Sequence, residues 1–224
     1  MLNTIQPQRQ LSACPQCTVG GTTLIPNIVD VTKICIIGLS GAGKTTLVNA
    51  VRETSDLDQK IFIPRRYITR EQRIGDDTVE NSHVTQQDFF SKVTQKEIEL
   101  HWKRDLGESF EYYGFPARKP DLLTLYSGNM ALVEKDNKLE PKGFLDNALI
   151  IGIVCDDDTR KQRLKARSPD IMSRPLQASK RLNASQDVIL QQSHILFTNN
   201  NDILTSKNNF VGRISTVSDQ QNCF

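Results

Sequence analysis

The residues best equipped for chemistry lie where the chain reads Gly38-Leu39-Ser40-Gly41-Ala42-Gly43-Lys44-Thr45. This is G-x-x-x-x-G-K-T, a loop whose glycines let successive backbone N–H groups curl around a polyphosphate. Gly38, Ser40, Gly41 and Gly43 supply the cradle, and Lys44 a mobile cation for the β- and γ-phosphates. The Thr45 hydroxyl is suited to ligate Mg²⁺, with Thr46 beside it as the helix begins. That helix aims its positive end at the same anion. A nucleoside triphosphate with Mg²⁺ is the ligand this pattern implies.

Other groups are less specific. Arg65, Arg66, Arg70 and Arg73 stand close together, just ahead of Asp76 and Asp77. They read either as a solvated loop with local ion pairs or as a fork that grips a phosphate bidentately. Asp156-Asp157-Asp158 follow an apolar run. A metal-binding carboxylate belongs at such a place, but so does a helix N-cap, and capping is the favoured reading. Cys14-Pro15-Gln16-Cys17 is a C-x-x-C with no second ligand pair near it. An incidental pair, half of a shared metal site and a redox pair all stay open. Cys35 and Cys155 lie in apolar runs and read as buried, reduced thiols. No His-Arg-Asp loop is present to activate a hydroxyl. That suits an acceptor whose nucleophile is an already ionised phosphate oxygen, with catalysis by positioning and charge neutralisation.

The elements that must position these residues alternate. Strand 34–38, the loop and a helix over 44–54 are followed by a short strand at 61–63, a polar segment over 64–85 and a short helix over 86–93. Segments 98–102 and 110–113 read as a strand pair joined across Gly107, 121–126 as a helix and 130–133 as a buried strand. The longest apolar strand covers 148–155; helices at 159–167 and 176–190 and a strand at 195–197 complete the series. Strand–helix alternation predicts an α/β fold, a parallel sheet with helices on both faces. Residues 1–32 read as a loosely ordered amino-terminal extension, 33–205 as the domain, and 206–224 as a polar, partly mobile tail.

At 224 residues, with 38% apolar and 24% charged content, the chain suits one globular domain with a full core. A net charge of +2 gives no basic field to attract nucleic acid. No apolar run reaches the length of a membrane span, and residues 1–10 lack the layout of a secretory signal, so a cytoplasmic location is expected.

The loop is followed by Arg66-Tyr67-Ile68-Thr69-Arg70, Glu80-Asn81, Asp88-Phe89-Phe90, Leu100-His101-Trp102 and Tyr112-Tyr113-Gly114. Over about residues 33–200 this ordered set resembles the guanylate kinase superfamily, and within it the ribose 1,5-bisphosphate phosphokinases of phosphonate metabolism. Those enzymes use ATP to convert ribose 1,5-bisphosphate to 5-phosphoribosyl 1-diphosphate. The resemblance implies Mg-ATP as donor, a phosphorylated small molecule as acceptor, an inserted acceptor-binding lobe over about 64–115 and an arginine lid over about 167–181. It implies that Arg70, Arg73 and Tyr113 hold the acceptor phosphate, with Glu134 also at the acceptor, and that Arg167 and Arg181 close over the transferring group. His101 and Trp102 read either as groups that stack on or hydrogen-bond a sugar acceptor or as strand residues packed in the inserted lobe. Guanylate kinases carry a glutamate where this chain has His101, and imidazole lacks the paired acceptors that guanine requires. Guanylate kinase activity and a non-catalytic binding module are the alternatives; the second tends to lose the equivalents of Lys44 and Arg70, both present here.

Overall fold

The computed structural model describes residues 17–19, 31–72, 79–105, 110–128, 141, 144–167 and 185–221. In chain order the elements are β1 (Cys17–Val19), β2 (Lys33–Gly38), α1 (Lys44–Arg52), β3 (Ile61–Phe62), β4 (Arg66–Ile68) and β5 (Asn81–His83). There follow α2 (Gln86–Thr94), β6 (Ile98–Asp105), β7 (Phe110–Pro116), β8 (Leu123–Ser127) and β9 (Ala148–Val154). The chain then forms α3 (Asp157–Arg167), α4 (Asp187–Gln192), β10 (Ile195–Thr198) and α5 (Ile203–Gln221).

Ile34, Ile36, Ile37, Leu149, Ile151 and Ile153 are all buried, which is why β2 and β9 read as continuous apolar runs rather than alternating ones. They pair in parallel from Lys33 opposite Ala148 to Gly38 opposite Ile153. The whole sheet runs β1-β10-β9-β2-β8-β3, parallel throughout except for β1, which lies antiparallel on β10. Parallel strands bring their carboxyl ends to one edge, where the glycine loop, Gly128 and Asn199 follow β2, β8 and β10.

The two faces of the sheet are covered differently. On one, Ile36, Leu125 and Ile151 pack with Leu47 and Val51 of α1 and with Phe210, Ile214 and Val217 of α5. On the other, Cys35, Ile37, Tyr126 and Ile150 meet Ile189 of α4 and the apolar side of a second sheet, ordered β5-β4-β7-β6. Ile68, Leu100, Trp102, Tyr113 and Phe115 are that side. The inserted segment is therefore a small sheet seated on the core.

The structure departs from the sequence expectations in three described places. Residues 123–127 are a strand between β2 and β3, not part of a helix. Leu123, Thr124, Leu125 and Tyr126 are all buried, so the segment shows no alternation to separate strand from helix. The region read as a mobile tail is mostly α5, whose Phe210, Ile214 and Val217 have no exposed surface. From the amino-terminal extension, Cys17–Val19 joins the sheet edge and Val31 is in the core. The expected strand at 130–133, most of the expected helix at 176–190 and Cys14 lie outside the described residues.

Cys35 is fully buried, and burial pushes its thiol up to about 12, so it stays protonated. His194 clasps β9: its N–H donates to the Ile150 carbonyl at 2.9 Å, and the Ile150 N–H donates to its Nδ1 at 2.9 Å. That second bond needs an unprotonated Nδ1, and burial lowers the His194 pKa from its ordinary value. A histidine harder to protonate folded than unfolded adds stability above its unfolded pKa of about 6.5, which is lost as pH falls through the folded value. Thermal unfolding followed from about pH 7.5 to about pH 5 should show this loss, and His194→Asn, which keeps an acceptor but no titration, should flatten that part of the profile. An unchanged slope in the variant would remove His194 from the account.

Candidate functional site

The loop is held in its curl by conformation and by close neighbours. Gly41 and Gly43 have φ of +87° and +93°, a left-handed conformation costly for any side chain. A Cβ on Gly38 would stand 2.6 Å from the Ile153 carbonyl oxygen, and one on Gly41 2.9 Å from that of Arg160. β9 and α3 thus press the loop from behind. Gly43 caps α1 without any side-chain hydrogen bond, which leaves the first-turn N–H groups facing outward for an anion.

Lys44 folds back over this cradle, its ammonium donating to the carbonyls of Gly38 at 2.7 Å and Leu39 at 3.0 Å. The Thr45 hydroxyl donates to Glu80 Oε2 at 3.0 Å, and the Ser127 hydroxyl at the end of β8 donates to Glu80 Oε1 at 3.1 Å. Hydroxyls and a carboxylate are hard oxygen donors of the kind Mg²⁺ accepts, so the residues fit the ion the loop implies. Among the described residues no group of three or more His, Cys, Asp or Glu forms a separate metal cluster.

Beside the loop is a cavity of about 330 Å³, bounded by Ser40, Lys44, Thr46, Arg163, Asn199 and Ile203 among others. Asn199 Nδ2 donates to the Ala42 carbonyl at 2.7 Å, and Arg163 Nη1 approaches the same oxygen at 3.5 Å. Neither residue was singled out by sequence. Arg163 is one helical turn before Arg167, so its signal was the pair itself; Asn199 opens the Asn199-Asn200-Asn201 run after β10. Arg167 is the last residue of α3, and its side chain, together with Arg73, Glu134 and Arg181, lies outside the described residues.

Asp156 caps α3, accepting from the Thr159 N–H at 2.8 Å and its hydroxyl at 2.9 Å. Those bonds hold its carboxyl below the usual range. Asp157 pairs with the buried Arg160 at 3.1 Å. The acidic run after β9 is thus occupied in starting a helix, the favoured reading of the sequence.

On the small sheet, the face toward the core carries Arg66, Trp102, Glu111 and Tyr113. Trp102 stacks on Tyr113 with ring centroids 5.5 Å apart, and the Arg66 guanidinium lies 5.6 Å from the Tyr113 ring. Arg66 also donates to Asn81 Oδ1 through Nε at 3.2 Å and Nη2 at 2.9 Å. The Tyr113 hydroxyl donates to the buried Glu111 carboxylate, and Arg104 stands 3.7 Å from the same group. Burial, then the bond to Glu111, raises the Tyr113 pKa, so the phenol stays protonated. Arg70 follows β4, its Nη1 on the Glu71 carbonyl at 3.0 Å, and its own carbonyl lies 2.9 Å from His83 Nδ1.

His101 does not join this group. Ile98, Leu100 and Trp102 turn inward at alternate positions of β6. His101 then points to the opposite side, edge-on to Phe89 of α2 with centroids 6.3 Å apart. His101 is thus on the face of the small sheet that packs on α2, and Tyr113 on the face toward the core.

No family model matches the chain. By sequence it is similar to the ribose 1,5-bisphosphate phosphokinase PhnN of Rhodopseudomonas palustris, 39% identical over 135 residues, which cover 60% of this chain and 66% of that protein. The protein of the same name from Bradyrhizobium diazoefficiens is 25% identical over 135 residues, 60% of this chain and 65% of that one. The chain thus spans just under two thirds of the length of these relatives. Among solved structures, guanylate kinase from Anaplasma phagocytophilum aligns over 87% of this chain and 88% of its own, with 16% identity and a TM-score of 0.47.

Proposed function

We propose that this chain is a guanylate kinase-like P-loop protein and an ATP-dependent kinase acting on a phosphate group, with ribose 1,5-bisphosphate as its acceptor. The observation that supports this best is the junction at Glu80. It ties the lysine- and threonine-bearing loop to the lobe that carries Arg66, Arg70 and Tyr113, so a donor and an acceptor phosphate can be held across it. The name of the related phosphokinases supports the choice of sugar bisphosphate.

In this reading the loop N–H groups and Lys44 hold the β- and γ-phosphates of ATP. Mg²⁺, when bound at Thr45, neutralises charge on those oxygens. Arg70, with Arg73 and Tyr113, holds the acceptor phosphate, whose anionic oxygen attacks the γ-phosphorus in line and needs no general base. Arg167 and Arg181 are proposed to close over the transferring group, and Glu134 to face the acceptor. Arg163, already at the loop, is a further cation for the same charge.

The test is magnesium-dependent ADP release with ribose 1,5-bisphosphate and GMP as separate acceptors. Turnover with the sugar bisphosphate alone is expected. Arg70→Ala should lower its kcat/KM about 100-fold, the scale of a charge-assisted phosphate contact, while ATP affinity is retained. ATP binding without transfer to either compound would favour a binding module instead. A second reading, nucleoside monophosphate kinase, rests on Glu111: a buried carboxylate beside Tyr113 offers the paired acceptors that His101 does not. Turnover with GMP, abolished in Glu111→Gln, would select it.

A further inference from the structure

P-loop proteins commonly complete their metal site with a carboxylate from the end of a core strand near the loop. Among the described residues of this chain those strand ends do not supply one. β8 ends Tyr126-Ser127-Gly128; after β9, Asp156 caps α3, Asp157 pairs with Arg160, and Asp158 is exposed in the first turn of that helix. The carboxylate that does reach Thr45 is Glu80, which enters from the other direction. Its own carbonyl accepts from the Arg66 N–H of β4 at 2.8 Å, and the next residue begins β5, so its backbone is the rim of the small sheet.

We infer that Glu80 is the carboxylate of the magnesium site, delivered to the loop by the acceptor lobe and aimed by Ser127; this rests on the reading of the loop as a Mg-ATP site. Each Glu80 oxygen accepts one hydroxyl hydrogen bond, from Thr45 at 3.0 Å and from Ser127 at 3.1 Å. A threonine whose hydroxyl donates to a carboxylate keeps its oxygen lone pairs for a cation. The same carboxylate adds negative charge beside the ion and can hold its coordinated water. Ser127 stands where the core strand would otherwise place the acid, and fixes Glu80 instead. The consequence is specific to this arrangement: seating the metal and seating the lobe share one side chain, so metal loading and acceptor binding are linked.

Calorimetric titration of ATP, with magnesium present and with magnesium removed by a chelator, tests this on the full chain without any acceptor. Magnesium should tighten ATP binding to the wild type. Glu80→Gln should lose about tenfold or more of that tightening, while metal-free ATP affinity stays within about twofold. Glu80→Asp, too short to span both hydroxyls, should lose part of it, and carries the test should Glu80→Gln fail to fold. Ser127→Ala should weaken the magnesium effect less than Glu80→Gln does. A magnesium-dependent gain equal to that of the wild type in the Glu80 variants would overturn the inference. So would an equal loss of ATP affinity with and without the metal, which marks a collapsed cradle. Lack of transfer to any phosphorylated acceptor would instead defeat the proposed function and leave this binding result standing.

Discussion

Lys44→Ala should lower phosphoryl transfer about 10³-fold or more, a loss of about 4 kcal/mol of transition-state stabilisation. Charge moves onto the oxygens between donor and acceptor as the phosphoryl group transfers, and a cation fixed there is worth more in the transition state than in the ground state. Lys44 is placed for this by the first turn of α1 and by the curl at Gly41 and Gly43. Its ammonium rests on the Gly38 and Leu39 carbonyls and has to swing only from the loop to the phosphates above it. The fold does not depend on it, because the core beneath the loop is made by Leu47, Val48 and Val51. Single-turnover kinetics should therefore show a slow chemical step in a protein of near-normal melting temperature. Arginine should not rescue it, since a wide planar fork does not occupy the place of a compact ammonium. Near-normal turnover in Lys44→Ala would sink the mechanism.

Phe210→Ala should destabilise the protein by about 3–5 kcal/mol, a large part of a typical domain's total. Phe210 has no exposed surface and meets Phe197 of β10 edge-on, with ring centroids 5.2 Å apart. Its removal opens a cavity between α5 and the sheet where Ile214 and Val217 also pack. Leu204 in the same helix is 65% exposed, and Leu204→Ala should change stability by about 0.5 kcal/mol or less. Urea unfolding of both variants measures the contrast. Equal, small effects would return the part of α5 from residue 206 onward to the status of a loose tail.

The site and the sequence differ in legibility for physical reasons. The glycine loop was readable because its chemistry is local: eight consecutive residues carry the curl, the cation and the hydroxyl. The parallel core was readable because β2 and β9 are buried on both sides. In β8 the burial is equally continuous from Leu123 to Tyr126, Thr124 included, so five residues offered too little pattern to tell a strand from a helix. In α5, Phe210, Ile214 and Val217 do stand at i, i+4 and i+7, but buried Ser206, Arg213 and Ser218 dilute the pattern with polar letters. The face of His101 follows from the alternation of Ile98, Leu100 and Trp102, but which element covers that face appears only once α2 is packed on it. Glu80 was visible as part of a motif, yet its partners are 35 and 47 positions away, so its role appears only when the lobe is seated on the loop.

The most direct test of the central claim is to follow the γ-phosphate itself. The protein is incubated with ATP labelled in that group, magnesium and ribose 1,5-bisphosphate, and the label is located by phosphorus resonance. The account predicts label in the terminal phosphate of a newly formed diphosphate on the sugar, appearing at the rate of ADP release and lost in Lys44→Ala. Label found only in free inorganic phosphate, at a rate indifferent to the sugar, would contradict it.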